Sequence, residues 1–368
     1  MRLDLTDDQQ FFQETLRRFV EQETPMSTVR ERIDAVEAFD PAWWRAAVEL
    51  GAASFLVPES AGGGSISGLG AADLAIVAEE FGRHVLPSPL VPVNVVAETL
   101  ARHGGHPDRL ASIMAGESVA TWVGDPDRGP DARPPIHATR DTDGFVLAGE
   151  AVAVEAADQA DQLLVTASTD AGSTQFLVTS DAEGVTITRQ ASLDLLRHFG
   201  RVRLDDVRVS GDDVVGEVGG ADDDVHRQRL VAVVLQCAES CGAAARVLEF
   251  TIEWGFDRYS FGRPLASYQA LKHRYADMKL WIEAAHAITD EAAVAVSSGG
   301  SPELVHAAKA YVGDRTVELI QDCVQLHGGI GVTWEHDIHL YLRRATVNRG
   351  LFGDPNAHRE ILASGLGI

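Results

Sequence analysis

Arg258-Tyr259-Ser260-Phe261-Gly262-Arg263-Pro264-Leu265, followed by Gln269, and Gln325-Leu326-His327-Gly328-Gly329-Ile330-Gly331 are the two stretches on which the reading of this 368-residue chain turns. Both have the make-up of a nucleotide grip. Glycines at 328, 329 and 331 let the backbone approach a phosphate closely, because no Cβ stands in the way. Arg258 offers a planar cation suited to pyrophosphate, and Gln269 and Gln325 can donate and accept toward an adenine or ribose edge. One Gly-rich turn is weak support for a ligand site; two, each beside a long helical pattern, are stronger. The plain alternative for Arg258 is a structural salt bridge to Asp257 or Asp277.

These strings, R-x-x-F-G-x-x-L-x-x-x-Q and Q-x-x-G-G-x-G, resemble those of the acyl-CoA dehydrogenase family of flavoproteins. The likeness runs over nearly the whole chain: Trp44 and Glu49-Leu50-Gly51, Val57-Pro58-Glu59, Gly62-Gly63-Gly64, Glu79-Glu80-Phe81-Gly82-Arg83, Asp205-Asp206-Val207-Arg208-Val209, Trp334-Glu335-His336-Asp337 and Arg343-Arg344. The resemblance implies an α+β fold with an N-terminal helical domain, a middle β domain and a C-terminal four-helix bundle. It also implies FAD as cofactor, an acyl-CoA as substrate and an electron-transferring flavoprotein as acceptor. Arg258, Phe261, Gln269, Gln325, Gly328 and Gly329 are the residues it would place on the FAD.

Local patterns give the same order. Thr6-x-x-Gln9 reads as a capping box opening a helix, with Phe12, Leu16 and Phe19 at helical spacing. Further helices are expected over 43–50 and 71–81. Pro87, Pro89 and Pro92 are expected to break the chain before another helix at 95–102. The helical first domain spans 1–118. Short apolar or β-branched runs at 145–147, 163–165, 175–178 and 184–187, separated by Gly, Asp and Ser, indicate a β-barrel-like domain over 119–217. Gly219-Gly220-Ala221-Asp222-Asp223-Asp224 reads as a connection to a helical domain over 224–368. There Leu230, Val233, Val234, Cys237, Cys241, Ala244, Ala245 and Leu248 share one broad face, and further helices cover 267–297 and 302–327.

Composition narrows the partners. The net charge of −24 argues against nucleic acid, which needs a basic footprint. No apolar run reaches membrane-spanning length and no signal peptide is read at Met1-Arg2-Leu3-Asp4-Leu5, so a cytoplasmic protein without membrane contact is expected. Three cysteines, Cys237, Cys241 and Cys323, fit a reducing interior. Cys237 and Cys241 stand i,i+4 with no further metal ligands in sight, so core packing is the expected role and no metal site is assigned.

The chemistry is where the chain departs from the family. Dehydrogenation needs a carboxylate to take the proton α to the thioester, and a flavin ring held flat to receive the β hydride. The family places a glutamate base at one of two locations. Aligning Arg343-Arg344-Ala345 puts Phe352, followed by Gly353, at the first; aligning Arg229-Leu230-Val231 puts Gln228 at the second. Neither can act as the base. Glu239 and Asp354 are nearby carboxylates that a different alignment would promote. In the middle domain, Gly149-Glu150-Ala151-Val152-Ala153-Val154-Glu155 stands where the family has G-x-K-x-W-I-T, so Ala153 and Glu155 replace the Trp and Thr that lie against the flavin ring. A carboxylate there would disfavour an anionic reduced ring. Trp122-Val123-Gly124-Asp125-Pro126 matches the family's flavin loop poorly, and the terminal Gly-Thr has become Gly353-Asp354-Pro355.

In the family one subunit's middle domain holds the flavin ring while a neighbour's C-terminal helices hold the adenosine diphosphate. The resemblance therefore favours a division of labour: this chain supplies the nucleotide grip, and a second acyl-CoA dehydrogenase-like chain supplies ring pocket and base, as in actinobacterial two-chain enzymes. No catalytic residue is assigned. Two alternatives stay open: a self-sufficient homotetramer with Glu239 or Asp354 as base, and a structural or CoA-ester-binding relative without flavin.

Overall fold

A computed structural model describes residues 5–33, 39–124 and 134–368. The first helix, α1 (Asp7–Glu23), opens on the expected capping box. Gln9 N donates to Thr6 Oγ1 at 3.2 Å and Thr6 N donates to Gln9 Oε1 at 3.0 Å. Helices α2 (Met26–Ile33), α3 (Pro41–Glu49), α4 (Gly70–Arg83), α5 (Leu90–His103) and α6 (Pro107–Met114) follow. Pro92 does not precede α5 but lies within it, third in the first turn. The N–H that proline lacks would have no intrahelical acceptor there, so the helix starts at Leu90 rather than at Val95.

The middle of the chain forms β1 (Ala120–Val123), β2 (Ile136–Arg140), β3 (Gly144–Glu155), β4 (Gln162–Thr169), β5 (Gly172–Thr179), β6 (Val185–Gln190), β7 (Phe199–Ser210) and β8 (Val214–Val215). The sheet order is β6-β7-β3-β2-β4-β5-β8, with β1 also parallel to β4. Among the described residues its end strands do not pair, so the sheet is an open path where a barrel-like closure was expected. The sheet also forks at β4. One edge of β4 is shared, Gln162–Val165 going to β1 and Ala167–Ser168 to β2, while β5 takes the other edge.

The remainder is helical: α7 (Asp222–Asp257), a short hairpin of β9 (Tyr259–Ser260) and β10 (Arg263–Pro264), then α8 (Gln269–Ser298), α9 (Glu303–His327), α10 (Ile338–Gly350) and α11 (Pro355–Leu366). Asp222–Asp224, read from sequence as connection, are the first turn of α7, where three carboxylates meet the positive end of the helix dipole. The most apolar 18-residue window of α7 is 83% buried, so this long apolar helix is the hub of the helical core. Cys237 and Cys241 sit in it, each 1% exposed, and burial pushes the Cys237 thiol up to about 11. One apolar cluster joins the N-terminal and C-terminal helices, and a second lies within the sheet. Helices α4 and α7 touch backbone to backbone. A Cβ at Gly82 would lie 2.0 Å from the Glu239 carbonyl oxygen, and one at Gly242 would lie 2.0 Å from that of Glu79.

Candidate functional site

The two sequence strings meet at one end of the helical bundle. An Arg274–Asp322 ion pair and a Cys323–Met278 contact at 3.7 Å set the start of α8 beside the end of α9. Gln269, Gln325 and Gly328 thereby share that end. Trp254, in the last turn of α7, stacks on His327 with ring centroids 5.5 Å apart, which brings Arg258 there as well. Arg258, Gln269, Gln325, Gly328 and Gly329 are all exposed. Among the described residues the Arg258 guanidinium has no hydrogen-bond or salt-bridge partner, so the alternative pairing with Asp257 or Asp277 does not form. Phe261, at the hairpin tip with φ +49°, is 97% exposed. Tyr259, Phe256, Val332 and Trp334 are further exposed apolar side chains on the same segments.

The glycines divide. A Cβ at Gly328 or Gly329 would meet nothing within 4 Å, so these two leave an open approach for a ligand. A Cβ at Gly331 would lie 2.5 Å from the Val324 carbonyl oxygen. Gly331 is therefore required by the packing of its own turn, and the expectation that it opens the backbone to phosphate is corrected.

Ala153 and Glu155, which the resemblance sets where a flavin ring would be contacted, lie beside Trp122 and Phe352. Val91, Pro92 and Val95 of α5, Thr121 and Trp122 of β1, Ala153–Glu155 of β3 and Leu351–Phe352 line a partly open cavity of ≈30 Å³. Phe352 stacks on Trp122, ring centroids 6.0 Å apart and planes 3° apart. Phe352 (φ +60°) and Ala153 (φ +54°) both hold left-handed backbone, which a side chain disfavours, so the walls are set by their surroundings rather than by local preference.

Behind this stack lies a buried ionic network. Glu239 accepts from Arg197 at 2.5 Å, from Arg344 at 2.7 Å and from Asn348 Nδ2 at 2.7 Å. Arg344 also pairs with Asp194, and Arg197 lies 3.2 Å from Glu155. Burial opposes ionisation of Glu239 and Asp194, but Arg197 and Arg344 outweigh it and hold both carboxyls below their usual range. Two guanidiniums thus neutralise two carboxylates. Glu155 is the remaining acid, and burial, with Glu239 close by, pushes its carboxyl up in spite of Arg197. Sequence reasoning named Glu155 and Glu239 without seeing that they belong to one network. Asp194 and Arg197 were missed altogether, and no local pattern marks them.

Gln228, which stands at the family's second base location, and both candidate bases have other occupations. Gln228, 1% exposed, donates to Thr99 Oγ1 at 2.8 Å and exchanges hydrogen bonds with Gln175. Asp354 caps α11, accepting from Asn356 N at 3.0 Å and Ala357 N at 2.9 Å. Glu239 is enclosed by Arg197, Arg344 and Asn348 and does not itself line the cavity. The residues present suit the diphosphate end of an FAD and do not suit its ring. Asp125 and Pro126, the rest of the poorly matching flavin loop, lie outside the described residues.

Residues 6–108 match the acyl-CoA dehydrogenase N-terminal domain and residues 231–367 its C-terminal domain. With three parts in this order and this helical core, the chain belongs to the acyl-CoA dehydrogenase family, whose cofactor is FAD. Among its relatives, acyl-CoA dehydrogenase IpdE2 of Mycobacterium tuberculosis is 32% identical over 97% of this chain and 95% of its own length. Among solved structures, a variant of the Tcur3481-Tcur3483 steroid ACAD superposes with a TM-score of 0.87 at 28% identity, covering 99% of this chain and 100% of that one. The ChsE4-ChsE5 complex from Mycobacterium tuberculosis gives 0.87 at 26% identity, covering 100% and 99%.

Proposed function

We propose that this chain is the cofactor-clasping, non-catalytic subunit of a two-chain acyl-CoA dehydrogenase that works in the cytoplasm. Its C-terminal domain lends Arg258, Phe261, Gln269, Gln325, Gly328 and Gly329 to the adenosine-diphosphate part of an FAD. A second acyl-CoA dehydrogenase-like chain supplies the ring pocket and the glutamate that removes the α proton. Held across that pair, an FAD would supply the acceptor for the hydride of the acyl-CoA β carbon, with an electron-transferring flavoprotein as the expected electron acceptor. The observation that carries this reading is the filled ring site beside an open nucleotide grip: Phe352 on Trp122 at one end, exposed Arg258 and Gly328 at the other. Relatives named as chain pairs, ChsE4-ChsE5 and the steroid ACAD Tcur3481-Tcur3483, support both a partner chain and a steroid-derived acyl group.

Co-expression with a candidate partner, followed by a flavin count, tests it. The complex is expected to hold one FAD per unequal pair and to oxidise an acyl-CoA, while this chain alone is colourless and inert. Stoichiometric FAD with turnover in the lone chain refutes the reading, as does one FAD on every chain of the complex.

A further inference from the structure

The turn that carries Phe352 into the ring site is held by side chains that none of the chemistry above uses. Lys309, on α9 and 2% exposed, donates from Nζ to the carbonyls of Asn348 and Leu351, the latter at 2.8 Å, and lies 3.3 Å from Gln236 Oε1. Both carbonyls stand at the C-terminal end of α10, where helical geometry leaves acceptors without donors. His358, on α11, takes the next carbonyl: its Nε2 lies 3.0 Å from Phe352 O. A carbonyl can only accept, so Nε2 carries the proton and Nδ1 of the neutral ring is bare. His306 on α9 then donates from its Nδ1 to that atom at 2.9 Å. Burial lowers the His358 pKa to about 4, in keeping with a neutral ring.

Residues 351 to 353 do not favour this shape by themselves. Phe352 has φ +60° and Gly353 φ +98°, and only the second is a glycine. A left-handed phenylalanine persists where surrounding contacts over-determine it. Here those contacts are a buried ammonium and an imidazole, one on each side of the aromatic residue.

We propose that Lys309 and His358 form a two-point latch, positioning residues that hold the Leu351–Gly353 turn and so keep Phe352 seated on Trp122. The ring site is on this view actively closed, in addition to lacking a base. The latch deepens the two-chain reading, but its test reads the turn and not the flavin, so either can fail without the other.

The experiment uses the whole chain labelled with 5-fluorotryptophan, the Trp122 resonance among the six being assigned with Trp122→Phe. Phe352→Ala fixes where the Trp122 signal goes when the stacked ring is gone. Lys309→Met and His358→Leu are expected to move it most of the way to that position. His358→Gln, whose amide can still donate to Phe352 O, is expected to leave it near the wild-type value. If Lys309→Met does not fold, the His358 pair decides alone. A wild-type Trp122 signal in folded His358→Leu, or equal shifts in His358→Leu and His358→Gln, overturns the latch.

Discussion

Replacing Glu239 by Gln separates a structural carboxylate from a catalytic one. The wild-type side chain faces Arg197 at 2.5 Å and Arg344 at 2.7 Å, both nearly free of solvent. Removing its charge leaves Asp194 as the ionised carboxylate between two guanidiniums, with Glu155 3.2 Å from Arg197 and inclined to stay protonated. Breaking a buried ion pair from one side costs about 3–5 kcal/mol, because the remaining charge is uncompensated. At about 2 °C per kcal/mol, the low end for large domains, Glu239→Gln should melt about 6–10 °C below wild type. The loss should depend on pH. Because the folded-state pKa of Glu239 is depressed, its stabilisation is present above the unfolded value of about 4.3 and is lost as pH falls through the folded value. The gap between wild type and variant should therefore narrow below about pH 4. Thermal melts at pH 7 and pH 3.5 supply the measurement. A variant that melts like wild type at pH 7 would refute the ionic network as a structural element and return Glu239 to the candidate bases.

Arg258→Ala should strip FAD from the assembled complex and leave the fold intact, since Arg258 is exposed without a partner among the described residues. Loss of charge-assisted hydrogen bonds worth about 1.5–3 kcal/mol predicts roughly 10- to 150-fold weaker binding in an FAD titration, and unaltered affinity would remove the nucleotide grip. Lys309 gives a second pH test of the same sign as that of Glu239, but in the alkaline range. Burial lowers its pKa from 10.5 to about 8, with Arg197 and Arg349 adding to the shift and Cys237 and Asp354 opposing it. Between those values the unfolded chain binds the extra proton, so stability relative to Lys309→Met should rise with pH, by about 3 kcal/mol across the window. Urea denaturation at pH 7.5 and 10.5 checks this, and a flat or falling difference would contradict a buried charged amine.

Much of the helical framework was legible because its signals are local. Thr6 and Gln9 lie three residues apart, and the capping box they announce is present. Gly299, with φ +68°, ends α8 where the Ser-Gly run suggested a break. β7 was less visible. Its exposed positions carry Arg201, Arg203, Asp205 and Arg208, so the strand alternates buried and charged residues instead of forming an apolar run. The fork at β4 depends on pairings between distant segments and has no local trace. At the site, the sequence showed that Phe352 and Ala153 had displaced the expected groups, because identity is all that such a reading needs. It could not show that the displaced space had been filled. That depends on Phe352 meeting Trp122, and on Asp194 and Arg197 of one loop converging with Glu239 of α7 and Arg344 of α10, contacts between segments distant in sequence.

The crossing of α4 and α7 sets what this molecule can change and what it cannot. With Gly82 seated on the Glu239 carbonyl and Gly242 on that of Glu79, the two helices are riveted at two points less than one side chain apart. A rivet of this kind permits neither sliding nor rotation without lifting the helices off each other. The N-terminal helices and the C-terminal bundle consequently behave as one chassis, and a conformational response to a partner has to be taken up by the sheet or by the exposed hairpin. The same rigidity separates the Phe352–Trp122 stack from the exposed face that carries Arg258.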